Sequence, residues 1–238
     1  MPRYVDLTQP LSPLTARSSD HPEVTFRTLR WYSRNGLKTR EITASLHSGT
    51  HMDTSALYNA KGETIDQIAL DRMIGTALFV DCRVGELGAI GADHLEKHAG
   101  SLKPGEMLVL CTGWHHFAED EEKYILKAPG LDKSGVDWVV SHGPKALCSD
   151  SPSPEHIYMR IRYWRQLRPD IFPKDPDTEV FPRSYGHQTL LPKGILMIEN
   201  LGGEIDEMIG RRATMYALPA KYAGVEAAPV RAIAVLDE

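Results

Sequence analysis

The chain has 238 residues, 42% of them hydrophobic and 25% charged, which are the proportions of an ordinary globular protein able to bury a core without disulfides. A formal net charge of −5 argues against nucleic acid or an anionic membrane as the main partner. No apolar run approaches the roughly 18 residues of a membrane span, and three cysteines (Cys82, Cys111, Cys148) without CxxC spacing fit a reduced compartment where they act as small core residues.

The opening MPRYVDLTQPL lacks the apolar stretch of a secretory leader, so a cytoplasmic protein is expected. Residues 23–33 (EVTFRTLRWYS) and 40–47 (REITASLH) alternate and are rich in β-branched and aromatic residues, which predicts strands. TALFVDC (76–82) and EMLVLCT (106–112) are short apolar runs and read as buried strands, with a short helix between them closed by Gly100. SGVDWVVSH (134–142) reads as a helix with Ser134 as its N-cap, and KALCSD as the strand after it. GILMIEN (194–200) and PVRAIAVLD (229–237) complete the strands. Residues 155–182 differ: a basic, aromatic, helical first half and a Pro- and Asp-rich second half predict an insertion on the surface or over a cleft. The whole reads as one mixed α/β domain, and no GxGxxG follows a first strand to suggest a Rossmann fold.

The stretch LHSGTHMDTSALYNA concentrates possible chemistry. His47, His51 and Asp53 stand at offsets 0, 4 and 6, so an extended strand would project all three from one face. Two imidazoles and a carboxylate suit zinc, manganese or iron(II) with positions open to water, whose pKa such an ion lowers toward ~7. Structural histidines on a strand are the alternative. Gly49 favours the metal, because a strand glycine often marks close approach of another group. His187, in the polar loop RSYGHQTLL, and Glu199, at the end of a buried strand, could complete a site; a salt bridge is the alternative for Glu199. Asp150 reads as a turn or cap residue.

HSGTHMD resembles the HxGTHxD signature of the metal-dependent cyclase family, which includes kynurenine formamidases, isatin hydrolases and trans-dienelactone hydrolases. YVDLTQPLSP, LKPGEMLVLCTGW, APGLDKSGVDWVV, CSDSPSPEH, GHQTLLPKGILMIENL and LP…APVRAIAV are similar to further family segments in the same order; only 155–182 falls outside the pattern. The resemblance implies a swivelling β/β/α domain over residues 1–238 and a homodimer or homotetramer. It implies one metal on His47, His51, Asp53 and Glu199 and a second on Asp53, His187 and Glu199, with both carboxylates bridging. Isatin-hydrolase-like members work with one manganese, so Zn2+ or Mn2+, one or two per chain, is expected.

The departure lies just downstream. The family commonly continues D-[AT]-P-x-H, ending in an acid/base histidine, where this chain has Ser55 in place of proline and Leu57 in place of histidine. Leucine carries no proton, and general acid–base help is worth about 10²–10⁴-fold. His21, near where formamidases place a substrate-facing tryptophan, and Tyr58 are the candidate replacements. His115 and His116 read as a surface pair. The arginines at 160, 162, 165 and 168 read as a solvated helix face, or, if the insertion caps the cleft, as a clamp for an anionic substrate. The expected activity is hydrolysis of a C–N or C–O bond in a small, cyclic amide, imide or lactone. A metal-dependent lyase or isomerase, or a non-catalytic metal- or ligand-binding member, is the alternative.

Overall fold

Short apolar runs set between turns make this a strand-rich chain. The computed structural model describes residues 1–18, 21–160 and 184–236. The strands are β1 (Arg3–Asp6), β2 (Thr25–Arg30), β3 (Thr39–Thr43), β4 (His51–Asp53), β5 (Ile74–Asp81), β6 (Ala89–Ile90), β7 (Met107–Cys111), β8 (Gly130–Leu131), β9 (Ala146–Ser149), β10 (Leu196–Glu199), β11 (Arg212–Pro219) and β12 (Ala227–Leu236). The main sheet runs β1-β12-β11-β5-β7-β9-β10-β4, and a further β12–β4 pairing closes seven of these strands into a mixed barrel. Neighbours β5, β7, β9 and β10 are parallel, and the remaining pairings around the ring are antiparallel. This is the expected mixed α/β domain of the swivelling β/β/α type.

Period-two alternation sorts the apolar runs into two cores. Ala77 and Phe79 of β5, Met107, Val109 and Cys111 of β7, and Leu196 and Ile198 of β10 fill the barrel interior. Their neighbours Leu78, Val80, Leu108, Leu110 and Met197 face outward against Leu95 and Ala99 of the helix Ala92–Ala99 and Val136 and Val139 of the helix Lys133–His142. Both faces are covered, which is why these strands read as continuous apolar runs rather than alternating ones. Burial of each Val, Leu, Ile, Phe or Met among them is worth about 2 kcal/mol. All three cysteines are buried and unpaired, and burial raises their thiols well above the ordinary range. No helix among the described residues is long and apolar enough to cross a membrane.

Three local expectations are corrected. The N-cap of Lys133–His142 is Asp132, whose carboxylate accepts from the Gly135 N–H; Ser134 is already inside the helix, and its hydroxyl accepts from Ala92 N–H instead. The strand expected over 40–47 stops at Thr43, so His47 lies in a turn. Residues 155–182 do not all belong to an insertion: Glu155 and His156 are buried in the body of the domain, and a single 3-10 turn, Ile157–Arg160, follows. The helix and loop expected beyond 160, with the arginines at 162, 165 and 168, lie outside the described residues.

Candidate metal centre

β4 supplies the first two donors by simple parity. Met52 points into the barrel core, so His51 and Asp53 point to the opposite face. On one side β4 pairs with β10, which sets Glu199 directly across from His51. On the other side it pairs with the small residues Ala227, Ala228 and Pro229 of β12, which leave room above the strand.

His47 reaches the same place by another route. A single strand carrying His47, His51 and Asp53 is not what forms: Gly49 adopts φ +65 and turns the chain between the two histidines. A Cβ there would lie 3.0 Å from Leu11 Cδ1, so the position is closely packed as well as left-handed. His187 is not in a loop; it lies in the helix Tyr185–Leu190, buried.

The five side chains converge. His47 Nδ1 is 3.0 Å and His51 Nε2 is 3.4 Å from Asp53 Oδ1. His187 Nε2 is 3.8 Å from Asp53 Oδ2 and 3.2 Å from Glu199 Oε1, while Glu199 Oε2 is 3.5 Å from His51 Nε2. Each carboxylate therefore turns one oxygen toward the His47/His51 side and the other toward His187. Within each of two groups, His47/His51/Asp53 and Asp53/His187/Glu199, one donor atom per residue lies within 4.8 Å of the others.

Whether these residues fit a metal is tested by their unmet valences. Among the described residues, the buried side-chain polar atoms without a hydrogen-bond partner are Ser48 Oγ, His51 Nε2, Asp53 Oδ1 and Glu199 Oε1. Leaving such atoms unpaired costs about 1–3 kcal/mol each, and three of them aim into one cluster. The donor set, three imidazoles and two carboxylates, is that of zinc, manganese or iron(II). The residues fit.

Outer partners fix the rings. His51 Nδ1–H donates to the Gly49 carbonyl at 2.9 Å, leaving Nε2 as the inward lone pair. His187 Nδ1–H donates to Glu155 Oε1 at 2.8 Å, and the other Glu155 oxygen accepts from Gly186 N–H at 2.8 Å. A side chain at Gly186 would bring a Cβ to 2.9 Å from that carboxylate, so glycine is required for the approach. Glu226 Oε1 lies 3.3 Å from His47 Nε2.

The clustered charges show in the titration of the rings. Burial works to lower His47, but the close Asp53 carboxylate, with Glu199 and Glu226 behind, raises it to about 9. Burial likewise opposes protonation of His187, and Glu155 and Glu199 outweigh it, raising that ring well above its ordinary value. Asp53 is pushed up by burial and pulled down further by His51, His47 and His187, so it stays ionised.

A cleft of about 390 Å³ opens over these donors, and both candidate proton carriers line it. The His21 ring stacks on His47 with centroids 5.6 Å apart, and the Tyr58 ring lies 6.0 Å from His187. After Asp53 the chain leaves the strand for a 3-10 turn, Ser55–Leu57, so Leu57 and the adjacent Tyr58 both face the cleft instead of opposite sides of a sheet. His115 and His116 are not part of it. His115 is anchored by Asp150, which also accepts from the Thr112 and Gly113 amides, the turn-capping role expected of that aspartate. Glu155 and Glu226 escaped the sequence reading. Nothing in their spacing marks them, because each meets its histidine only through the tertiary fold.

The Cyclase family profile matches residues 5–156 of the 238. Among solved structures, an isatin hydrolase bound to the product analogue thioisatinate is 20% identical, with a TM-score of 0.81 over 100% of this chain and 93% of that one. Isatin hydrolase A from Ralstonia solanacearum is 20% identical, with a TM-score of 0.80 over 99% and 92%. A "predicted metal-dependent hydrolase" from Bacillus stearothermophilus is 17% identical, with a TM-score of 0.72 over 99% and 98%. At these identities the structural likeness is one of fold. The profile covers well over half of the sequence and includes three of the five donors and the turn that bends between them, so the chain belongs to the cyclase family.

Proposed function

We propose that this protein is a metal-dependent hydrolase that opens a C–N or C–O bond in a small cyclic amide, imide or lactone. The observation that carries the reading is the convergence of three orphaned, buried donor atoms on the floor of an open cleft. His47, His51, Asp53, His187 and Glu199 would hold a zinc or manganese ion, which when bound would supply Lewis-acid polarisation of a carbonyl and a more acidic water. The two-sided placement of Asp53 and Glu199 favours two ions over one.

The remaining work falls to the chain itself. Gly49 and Glu155 hold His51 and His187 in the tautomers that keep Nε2 free. Leu57 gives the cleft an apolar wall where the family's acid/base histidine is expected, so it can exclude water but move no proton. His21, stacked beside His47, is the imidazole best placed to accept and return one, with the Tyr58 phenol second. Opening a ring with a good leaving group asks least of that donor, which favours lactones and imides over a formyl amide. Arg17 also lines the cleft, paired with Glu23 at 3.1 Å, and suits a substrate with a carboxylate. Leu57 favours one second reading, a member that binds metal and ligand without turnover.

Assay of the zinc- and manganese-loaded protein against lactones, cyclic amides and imides separates the two. Hydrolysis is expected, and His21→Gln is expected to lower kcat by about 10²-fold with little change in KM. No turnover of any member of the panel by metal-loaded protein contradicts the hydrolase and leaves the binding protein.

A further inference from the structure

His115 and His116 stand outside the cleft, and a carboxylate from a distant segment joins them. Gly113, at φ +72, opens the 3-10 turn Trp114–Phe117, which sets the two rings with centroids 4.0 Å apart. A second 3-10 turn, Ile205–Met208, carries Asp206 to the same point. Asp206 Oδ2 lies 2.8 Å from His116 Nε2 and 3.7 Å from His115 Nε2. Donors at tetrahedral zinc stand roughly 3.3 Å from one another, so these spacings bracket the value that a shared ion requires.

His115 is the telling member. Its side chain is only 7% exposed, and its Nδ1 lies 2.8 Å from Asp150 Oδ2. Asp150 is fully buried, and its two oxygens also accept from the Thr112 and Gly113 amides at 2.8 Å each. A histidine that gives Nδ1–H to a carboxylate so anchored keeps Nε2 as its lone pair, the outer arrangement of metal-bound imidazoles. That nitrogen faces Asp206 across 3.7 Å, too far for a hydrogen bond. A lone pair and a carboxylate repel when they face each other, and a cation between them removes the conflict. His116 is 60% exposed, so its proton can move to Nδ1 without a burial cost, which frees its Nε2 as well.

The surroundings have the matching sign. A groove of about 670 Å³ beside the cluster is lined by Glu119 and Asp120 with the neutral Gln9, Ser12 and Thr15 and, among the described residues, by no lysine or arginine. Arg83, a cation close enough to interact with Asp206, is engaged by both oxygens of Asp81.

We propose that His115, His116 and Asp206 bind a divalent transition-metal ion of the zinc class at a site separate from the cleft. The ion clasps two turns 90 residues apart. Three donors, one of them well exposed, hold it more weakly than the five in the cleft, so it exchanges during purification and fills on titration.

Calorimetric titration of the full chain with Zn2+ tests this, with Asp53→Ala as the background that disables the cleft. Asp53→Ala is expected to keep one zinc-binding event. Adding either His116→Ala or Asp206→Asn, both at exposed positions, is expected to weaken that event by roughly tenfold or more. In otherwise wild-type protein, His116→Ala is expected to lose the weakest equivalent and leave the others unchanged. Wild-type and His116→Ala titrations that superimpose overturn the proposal, whether or not Asp53→Ala folds. So does a folded Asp53→Ala chain that takes up no zinc, which would assign all binding to the cleft. Zinc that is lost with His116→Ala but untouched by Asp53→Ala supports this site and contradicts the metal reading of the cleft, so the two can fail separately.

Discussion

Glu155 touches no expected substrate, yet it sets the direction in which His187 can offer its lone pair. Replacing it by Gln keeps the volume and removes the charge behind Nδ1–H. Outer partners of this kind typically matter about 10–100-fold in metal affinity. We expect Glu155→Gln to lower zinc affinity by that factor in a competitive chelator titration, with the circular dichroism unchanged; equal affinity would remove Glu155 from the centre. His47 makes a second prediction. Its ring sits near 6.5 when unperturbed and at about 9 here, so the proton it binds stabilises the folded chain. That contribution is complete below 6.5 and is lost as pH rises through about 9. Metal-free protein should therefore lose thermal stability across this window, while metal-saturated protein, which needs the neutral ring, should gain it. Parallel slopes in the two states would contradict the assignment of His47 as a donor. At this scale the convergence of the five candidate donors is legible because their residue types and the family signature coincide, from HSGTHMD through Glu199. Glu155 was not, since its meaning depends on the bare backbone of Gly186 beside it.

The turn between His47 and His51 shows why parity read from spacing can mislead. Even offsets predict one face of one strand, but Gly49 takes a left-handed conformation that ends the extended run, and His47 arrives from outside it. The side chains still converge, by a different geometry from the one the spacing suggests. Gly49→Ala forces a side chain into φ +65 and against Leu11, which should cost about 1–2 kcal/mol. For a chain of this length that corresponds to a fall in Tm of roughly 3–6 °C. Differential scanning calorimetry reads it directly, and an unchanged Tm would show that the turn is not under this constraint. The buried strands of the barrel were legible as elements because both of their faces are covered and their apolar runs are unbroken. The N-cap at Asp132 was missed by two positions because Asp132 and Ser134 are both good caps and only the packing against Ala92 separates their roles.

Over the whole molecule, closure of the barrel brings the site together. β4 is three residues long, yet it bridges β10 and β12, so Glu199 and Glu226 both reach the histidines of one short segment. Such pairings join residues nearly 180 positions apart, and no local pattern announces them. The ordered resemblance to the family points to Glu199 and not to Glu226. This closure places the donors of the proposed metal centre together. Elemental mass spectrometry of the purified chain and of Asp53→Ala, the residue that both donor groups share, tests that centre most directly. We predict one to two equivalents of zinc or manganese per chain in the wild type and near-complete loss in the variant. A wild type that carries no transition metal and takes none up on titration would contradict the account.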